Sequence, residues 1–211
     1  MQRMRRYLAF LGLALIAILG LGYWAGSLMA GPPAKRFVVT VTLTVDGRPM
    51  TGEAVWDMRS EKQESLGNGP PYRNSARGEA IPFPLSDNTV LFVLKRGSEF
   101  VSSTSYGAFL AECGAFDAAA LAAFDGGCEV KDYPELLLAK GDVHGAAVPV
   151  LTLLRNGRVG DHAVDISSFS VRVTDQARSE GIAKAYAWID ALPSDQSYSV
   201  GKIYRIDFVA E

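Results

Sequence analysis

The chain has 211 residues, with 21 Lys plus Arg against 23 Asp plus Glu, a formal net charge of −2 and only two cysteines. Beyond residue 30 charges of both signs are interspersed and no stretch gathers Lys and Arg, which excludes the basic stripe a nucleic-acid-binding surface needs. A length of this order is enough for one domain with a full apolar core or two small ones.

The N-terminal part sets placement. Tyr7 to Ala30 is free of charge and reads YLAFLGLALIAILGLGYWAGSLMA. As a helix those residues would reach roughly 36 Å, and about 20 apolar residues suffice for a hydrocarbon core of about 30 Å. Arg3, Arg5 and Arg6 precede the run, and a short basic N-terminal tail stays on the cytoplasmic side. Tyr7 falls near the inner interface, with Tyr23 and Trp24 near the outer one, where amphipathic rings favour the headgroup layer. The expectation is a single-pass inner-membrane anchor over residues 1–30, N-terminus inside, with the rest in the periplasm or outside the cell. A cleaved secretory signal is the competing reading. Its apolar region is shorter, and Ala25-Gly26-Ser27 offers a small-x-small site, yet the sequence stays apolar through Leu28 and Met29. Gly22, Gly26 and Ala30 recur every four residues, a small-residue stripe that lets membrane helices approach closely, so self-association or a membrane-protein partner is expected there beside the bilayer itself.

Gly31-Pro32-Pro33 ends the apolar run, and 31–36 reads as a linker before an exported domain over 37–211. Of the basic residues, 18 lie beyond the anchor with all 23 acidic ones, leaving the whole exported part, linker included, near −5. Phe37 to Val45 alternates apolar residues with threonine, the period of a half-buried strand. Asp46-Gly47 is a two-residue hairpin signal, and the return strand runs from about Thr51 to Met58, with Pro49 implying an edge or a bulge. Residues 60–78 are polar and Gly/Pro-rich, which predicts a long surface loop. A strand pair follows over 79–85 and 90–95. Pro82 and Pro84 alternate in the first, fitting an edge, and Val90 to Leu94 is continuously apolar, fitting a central strand.

Residues 107–125 are alanine-rich and predict a short helix from Asp117, its cap, to Phe124, stopped by Gly126-Gly127. Strands are expected at 135–139 and 148–154, with Asn156-Gly157 as a second hairpin turn. Ile166 to Thr174 sets Phe169, Val171 and Val173 on one face and Ser168, Ser170 and Arg172 on the other. Ser179 to Asp190 has helical spacing at Ile182, Ala185, Tyr186 and Ile189, and Val200–Val209 reads as a closing strand. The fold class expected is an N-terminal transmembrane helix followed by a β-rich α+β domain, antiparallel and sandwich-like, with two short helices.

Several short pieces resemble a group of uncharacterised membrane-anchored proteobacterial proteins. They are Asp46-Gly47 with Gly52, Gly78-Glu79-Ala80 before Leu91-Phe92, Tyr133-Pro134-Glu135-Leu136, and Val173-Thr174-Asp175 before Gly181-Ile182 and Trp188. Those relatives tend to have proline where this sequence has Ala187. The resemblance implies an N-terminal anchor and a small exported domain, and it carries no catalytic residues.

Cys113 and Cys128 fall in the exported part, where an oxidising compartment favours a disulfide around the alanine-rich helix. Asp142 with His144, and Asp161 with His162 and Asp165, are the densest groups of potential metal ligands. They sit in glycine-rich loops without the tight helical spacing of a zinc motif, so solvated turn residues are the plainer reading. No G-x-S-x-G or S-x-x-K pattern is present. Ser102, Ser103 and Ser105 sit in a polar loop, and Gly67-Asn68-Gly69 lacks the strand-to-helix context of a nucleotide loop. No cofactor is expected. The functional expectation is a non-enzymatic binding or accessory module of an envelope or inner-membrane complex. The alternative is an envelope hydrolase, metal-dependent or not, built on the Asp142/His144 and Asp161/His162/Asp165 loops.

Overall fold

The computed structural model describes residues 34–62, 72–97, 112–115, 117–131, 134–153, 157–193, 203–205 and 208–209. The apolar run Tyr7–Ala30, with Gly22, Gly26 and Ala30, lies outside the described residues, as do Gly67–Gly69, Ser102–Ser105 and Asn156. Among the described residues no helix is long and apolar enough to cross a membrane.

The described strands form two antiparallel sheets. β1 (Lys35–Val45) pairs along its whole length with β2 (Arg48–Lys62) on one side, and from Phe37 to Val45 with β10 (His162–Val173) on the other. β3 (Tyr72–Arg77) continues that sheet beyond β2, β6 (Gly127–Glu129) continues it beyond β10, and β9 (Arg158–Val159) pairs with the start of β10. The second sheet has the order β4 (Ile81–Ser86), β5 (Thr89–Gly97), β7 (Pro134–Lys140), β8 (Val150–Leu153). The helices are short: α1 (Ala118–Ala123), α2 (Ile182–Ala185) and a 3₁₀ turn at Ala187–Ala191.

Period-two alternation turns Phe37, Val39, Val41 and Leu43 of β1, Trp56 and Met58 of β2, and Phe169 and Val171 of β10 inward. There they meet Ile81, Phe83, Leu91, Val93, Leu136 and Leu138 of the second sheet. Thr40, Thr42, Thr44 and Ser170 point to the other side. The four-stranded sheet is covered on its second face as well. Val90, Phe92, Leu94, Leu137 and Ala139 pack there against Tyr186, Trp188, Ile189 and Phe208. Phe92 makes edge-on contacts with Tyr186, Trp188 and Phe208, at centroid distances of 5.0, 5.9 and 5.3 Å. Trp188 Nε1 donates to the carbonyl of Val143 at 3.0 Å. Burial on both faces is why Val90–Leu94 is apolar without alternation.

Local chemistry explains several elements directly. Asp46 (φ 49°) and Gly47 (φ 79°) both take positive φ in the two-residue β1–β2 turn, the geometry that matches strand twist. β4 is an edge strand, which tolerates Pro82 and Pro84. At Pro49, β2 has β1 on one side only, because β3 joins β2 from Asp57 onward. Asp117 caps α1, its carboxylate accepting from the Ala120 N–H at 2.7 Å.

Other expectations are corrected. The linker read over 31–36 ends earlier, because β1 begins at Lys35. The loop expected over 60–78 is in part a strand pair: β2 runs to Lys62 and β3 returns at Tyr72, held by backbone bonding that polar side chains do not announce. The glycines Gly126-Gly127 do not stop α1. Phe124 turns extended first (φ −70°, ψ 121°), and Gly127 enters β6. Gly157 does not join a hairpin of neighbours, since β8 lies in one sheet and β9 pairs with β10 in the other. The helix expected over 179–190 breaks at Tyr186 (φ −133°, ψ 79°), where the segment must seat Tyr186, Trp188 and Ile189 together on the sheet. Of the closing strand at 200–209, the described residues are not extended in a sheet. Phe208 and Val209 donate back to the Arg205 carbonyl, and the Phe208 carbonyl accepts from Ala80.

Gly78 sits against Trp56: a Cβ there would lie 2.2 Å from the indole Cδ1. Trp56 is fully buried and its Nε1 donates to the Glu79 carbonyl at 2.8 Å, so the ring cannot step aside. Gly78→Ala is expected to cost about 2 kcal/mol, the usual range for overpacking. Urea titration of the wild type and variant measures it.

Candidate functional site

One end of the sandwich, opposite Lys35, gathers the polar side chains most able to act together. The Asp46-Gly47 turn, the end of β7 and the β9–β10 turn meet there. Asp46 Oδ2 stands 2.7 Å from Nδ1 of His162 and Oδ1 accepts from the Ala163 N–H at 2.9 Å, while the Asp46 N–H donates to the Ala163 carbonyl at 2.9 Å. The carboxylate thus fixes the imidazole through one ring nitrogen. Arg158 donates to the Asp161 carbonyl at 3.0 Å, and Lys140 Nζ lies 4.0 Å from the Asp161 carboxylate. That last pair is exposed and worth little by itself.

Asp46 has its pKa held below the ordinary 3.8. The His162 hydrogen bond is the main cause and the Ala163 N–H the next, with a smaller pull from the charges of His162 and Arg158.

The second group is held differently. Asp142 closes its own turn, accepting from the Gly145 N–H at 2.9 Å, and a Cβ at Gly145 would collide with its carboxylate. His144 stacks on Tyr186 at a centroid distance of 5.6 Å, its Nδ1 3.4 Å from the Ala185 carbonyl. Burial raises the Tyr186 hydroxyl above its usual pKa. Asp165 is exposed and pairs in register with Thr44 of β1. So of the residues marked from the sequence, Asp161 and His162 share the loop end, each with a partner of its own. Among the described residues no three His, Cys, Asp or Glu side chains gather as a metal-binding group. In the sequence Asp46 marks only a turn. Its role as the partner of His162 arises from β1–β10 pairing across 116 residues, for which no local signal exists.

Beside this loop end lies an apolar edge. Val148 and Val150 are 45% and 69% exposed, and they are the exposed large hydrophobic residues among the described ones. Val150 opens β8, which has β7 on one side and is the last strand of its sheet, and it pairs in register with Lys140.

Cys113 and Cys128 stand at disulfide distance, their Cα atoms 5.7 Å apart. Cys128 lies in β6 and lines an open groove of ≈ 460 Å³ with Thr40, Gly127, Glu129, Ser170, Val171 and Arg172. No protein-family model, curated protein or solved structure matches the chain.

Because the Asp46 pKa is lower folded than unfolded, the folded state binds fewer protons on this group. The stability it adds is complete above the unfolded value of 3.8 and is lost as pH falls through the folded value. Wild type and Asp46→Asn are therefore expected to differ in stability by a constant amount near pH 5 and to converge toward the acid end. Urea midpoints taken at stepped pH show whether the gap closes below 3.8 rather than above it.

Proposed function

We propose that the protein is a membrane-anchored exported domain acting as a binding or accessory module of an inner-membrane or envelope complex. The N-terminal tail lies in the cytoplasm and the β-rich domain in the periplasm or outside the cell. The charge-free run Tyr7–Ala30 behind Arg3, Arg5 and Arg6 supports the placement. Mass spectrometry of the mature protein tests it: an intact N-terminus is expected, and a chain beginning near Leu28 would overturn the anchor.

The observation that carries the binding role is the join between Val148 and Val150 on an outermost strand and the charged loop end at Lys140, Asp161 and Arg158. An apolar centre with a polar rim is the common anatomy of a protein contact surface, and an outermost strand offers backbone groups for pairing. A photo-reactive side chain at position 150, in intact membranes, is expected to yield one discrete crosslinked species. The same probe at Thr42, on the polar outer face of the six-stranded sheet, is expected to yield none. The species should be lost with Val148→Asp. Identical patterns at both positions, or no species at 150, would sink the reading.

A further inference from the structure

Charge is unevenly spread over the outer face of the six-stranded sheet. Along β1 the outward positions run Arg36, Val38, Thr40, Thr42 and Thr44. Strand pairing sets Asp57 of β2 and then Arg77 of β3 in one line with Arg36. Arg59 lies two residues farther along β2, and Arg172 of β10 stands opposite Val38, both on this same face. The segment after β10 crosses to the far side of β2. Its Gln176 carbonyl accepts from Arg36 at 3.3 Å, its Ser179 pairs with the Val55 backbone, and its Arg178 reaches Asp57 at 3.5 Å.

Arg36, Arg59, Arg77, Arg172 and Arg178 thus gather at the Lys35 end of the face. The carboxylates that pair with them are Asp57, 3.2 Å from Arg36, and Glu180, 2.8 Å from Arg178, and Asp175 is exposed on the crossing segment. Arg77 and Arg172 are exposed and have no ion pair among the described residues. The Nε atoms of Arg59 and Arg178 are buried without a hydrogen-bond partner. Guanidinium donors therefore outnumber the acceptors beside them, an arrangement that an added anion relieves. Farther along β1 the charge reverses, with Glu53 and Glu129 in line with Thr40 and Ser170, and Asp165 in register with Thr44. No stretch of sequence gathers these arginines; strand pairing does. The carboxylates within and beside the patch keep it short of a continuous basic stripe.

The polypeptide enters the domain at this end. Arg36 follows Ala30, the last residue of the apolar run, by six residues. An extended chain covers at most about 3.6 Å per residue, so Arg36 stands no more than about 22 Å from the end of that run.

We infer that the arginine patch is a docking surface for the phosphate groups of anionic phospholipids in the bilayer that holds the N-terminal run, an inference that rests on the anchor proposed above. Guanidinium forks match phosphate oxygens in pairs. The short tether keeps the patch at high local concentration beside the headgroups, so few contacts suffice. The excess positive charge selects lipids with net negative charge over zwitterionic ones, each arginine contributing about fivefold to the docked population.

The test uses the full chain in bilayer discs of phosphatidylcholine, with and without phosphatidylglycerol. A photo-reactive side chain replaces Ala177, which is exposed between Gln176 and Arg178. A second protein carries it at Thr42, about 20 Å along β1 from Arg36. Protein–lipid adducts are counted by mass spectrometry. The yield at 177 should rise on the order of tenfold with phosphatidylglycerol and fall back in about 1 M salt, where screening acts within about 3 Å. The yield at 42 should stay low in both discs. Arg77→Gln with Arg172→Gln should return the yield at 177 to that in phosphatidylcholine, while Arg77→Lys with Arg172→Lys should keep most of it. Urea midpoints check that both pairs fold, and if the glutamine pair does not, the salt dependence and the lysine pair decide. A yield at 177 that ignores phosphatidylglycerol, or equals that at 42, would overturn the docking and leave the anchor standing. Loss of the unsubstituted chain from the discs would overturn the anchor, and the docking with it. A protein crosslink at 177 in intact membranes, in place of the lipid adduct, would assign the patch to an acidic protein segment and also overturn the inference.

Discussion

Phe92 and its neighbours on β5 set the architecture. A strand buried on both faces must have a covering layer on each side, because an uncovered apolar face of that size would not stay in water. The six-stranded sheet supplies one layer. The segment from Ile182 to Leu192, with Phe208 and Val209, supplies the other. This second layer is irregular for a physical reason. It must set Tyr186, Trp188 and Phe208 edge-on around one ring, and a straight helix cannot place those side chains so. Glu79 holds its start, its carboxylate accepting from the N–H groups of Gly181 and Ile182 at 2.6 and 2.9 Å. Lys95, itself buried, donates to the Val209 carbonyl at the other end.

The two sheets have different outer faces because of this. The six-stranded sheet shows water a row of hydroxyls: Thr42 lies 3.2 Å from Thr51 and Thr44 lies 3.1 Å from Ser167, while Thr40 donates to Glu53 at 2.9 Å. At one end Ser179 pairs with the Val55 backbone where β3 has left β2, its hydroxyl accepting from the Val55 N–H and its own N–H donating to the Val55 carbonyl. Asp57 there stands between Arg36 and Arg178, at 3.2 and 3.5 Å.

Elements governed by local chemistry were legible in the sequence. Alternating threonines gave β1, Asp46-Gly47 gave its turn, the two prolines marked β4 as an edge, and Asp117 marked the start of α1. Elements governed by distant partners were not. β3 has no apolar alternation, and only its pairing with β2 makes it a strand. Gly157 carries turn chemistry, yet the residues beside it serve different sheets. The site divides the same way. His162 stood out as one of two histidines, but its carboxylate comes from the far end of a sheet pairing. Asp142 and His144 are near in sequence, yet one closes a local turn and the other stacks on Tyr186.

The position of β1 between β2 and β10 has a consequence for how the domain is made. Synthesis delivers β1 and β2 early, and together they are a two-stranded ribbon with an apolar face, marginal in water without further strands. The strand that completes their sheet, β10, is the last of all the described strands to appear. Until it arrives, Phe37, Val39, Val41 and Leu43 have no full shelter, and the unpaired side of β1 is open to any extended chain nearby. The nascent domain therefore has a long period of vulnerability, and its core closes only once β10 has been made.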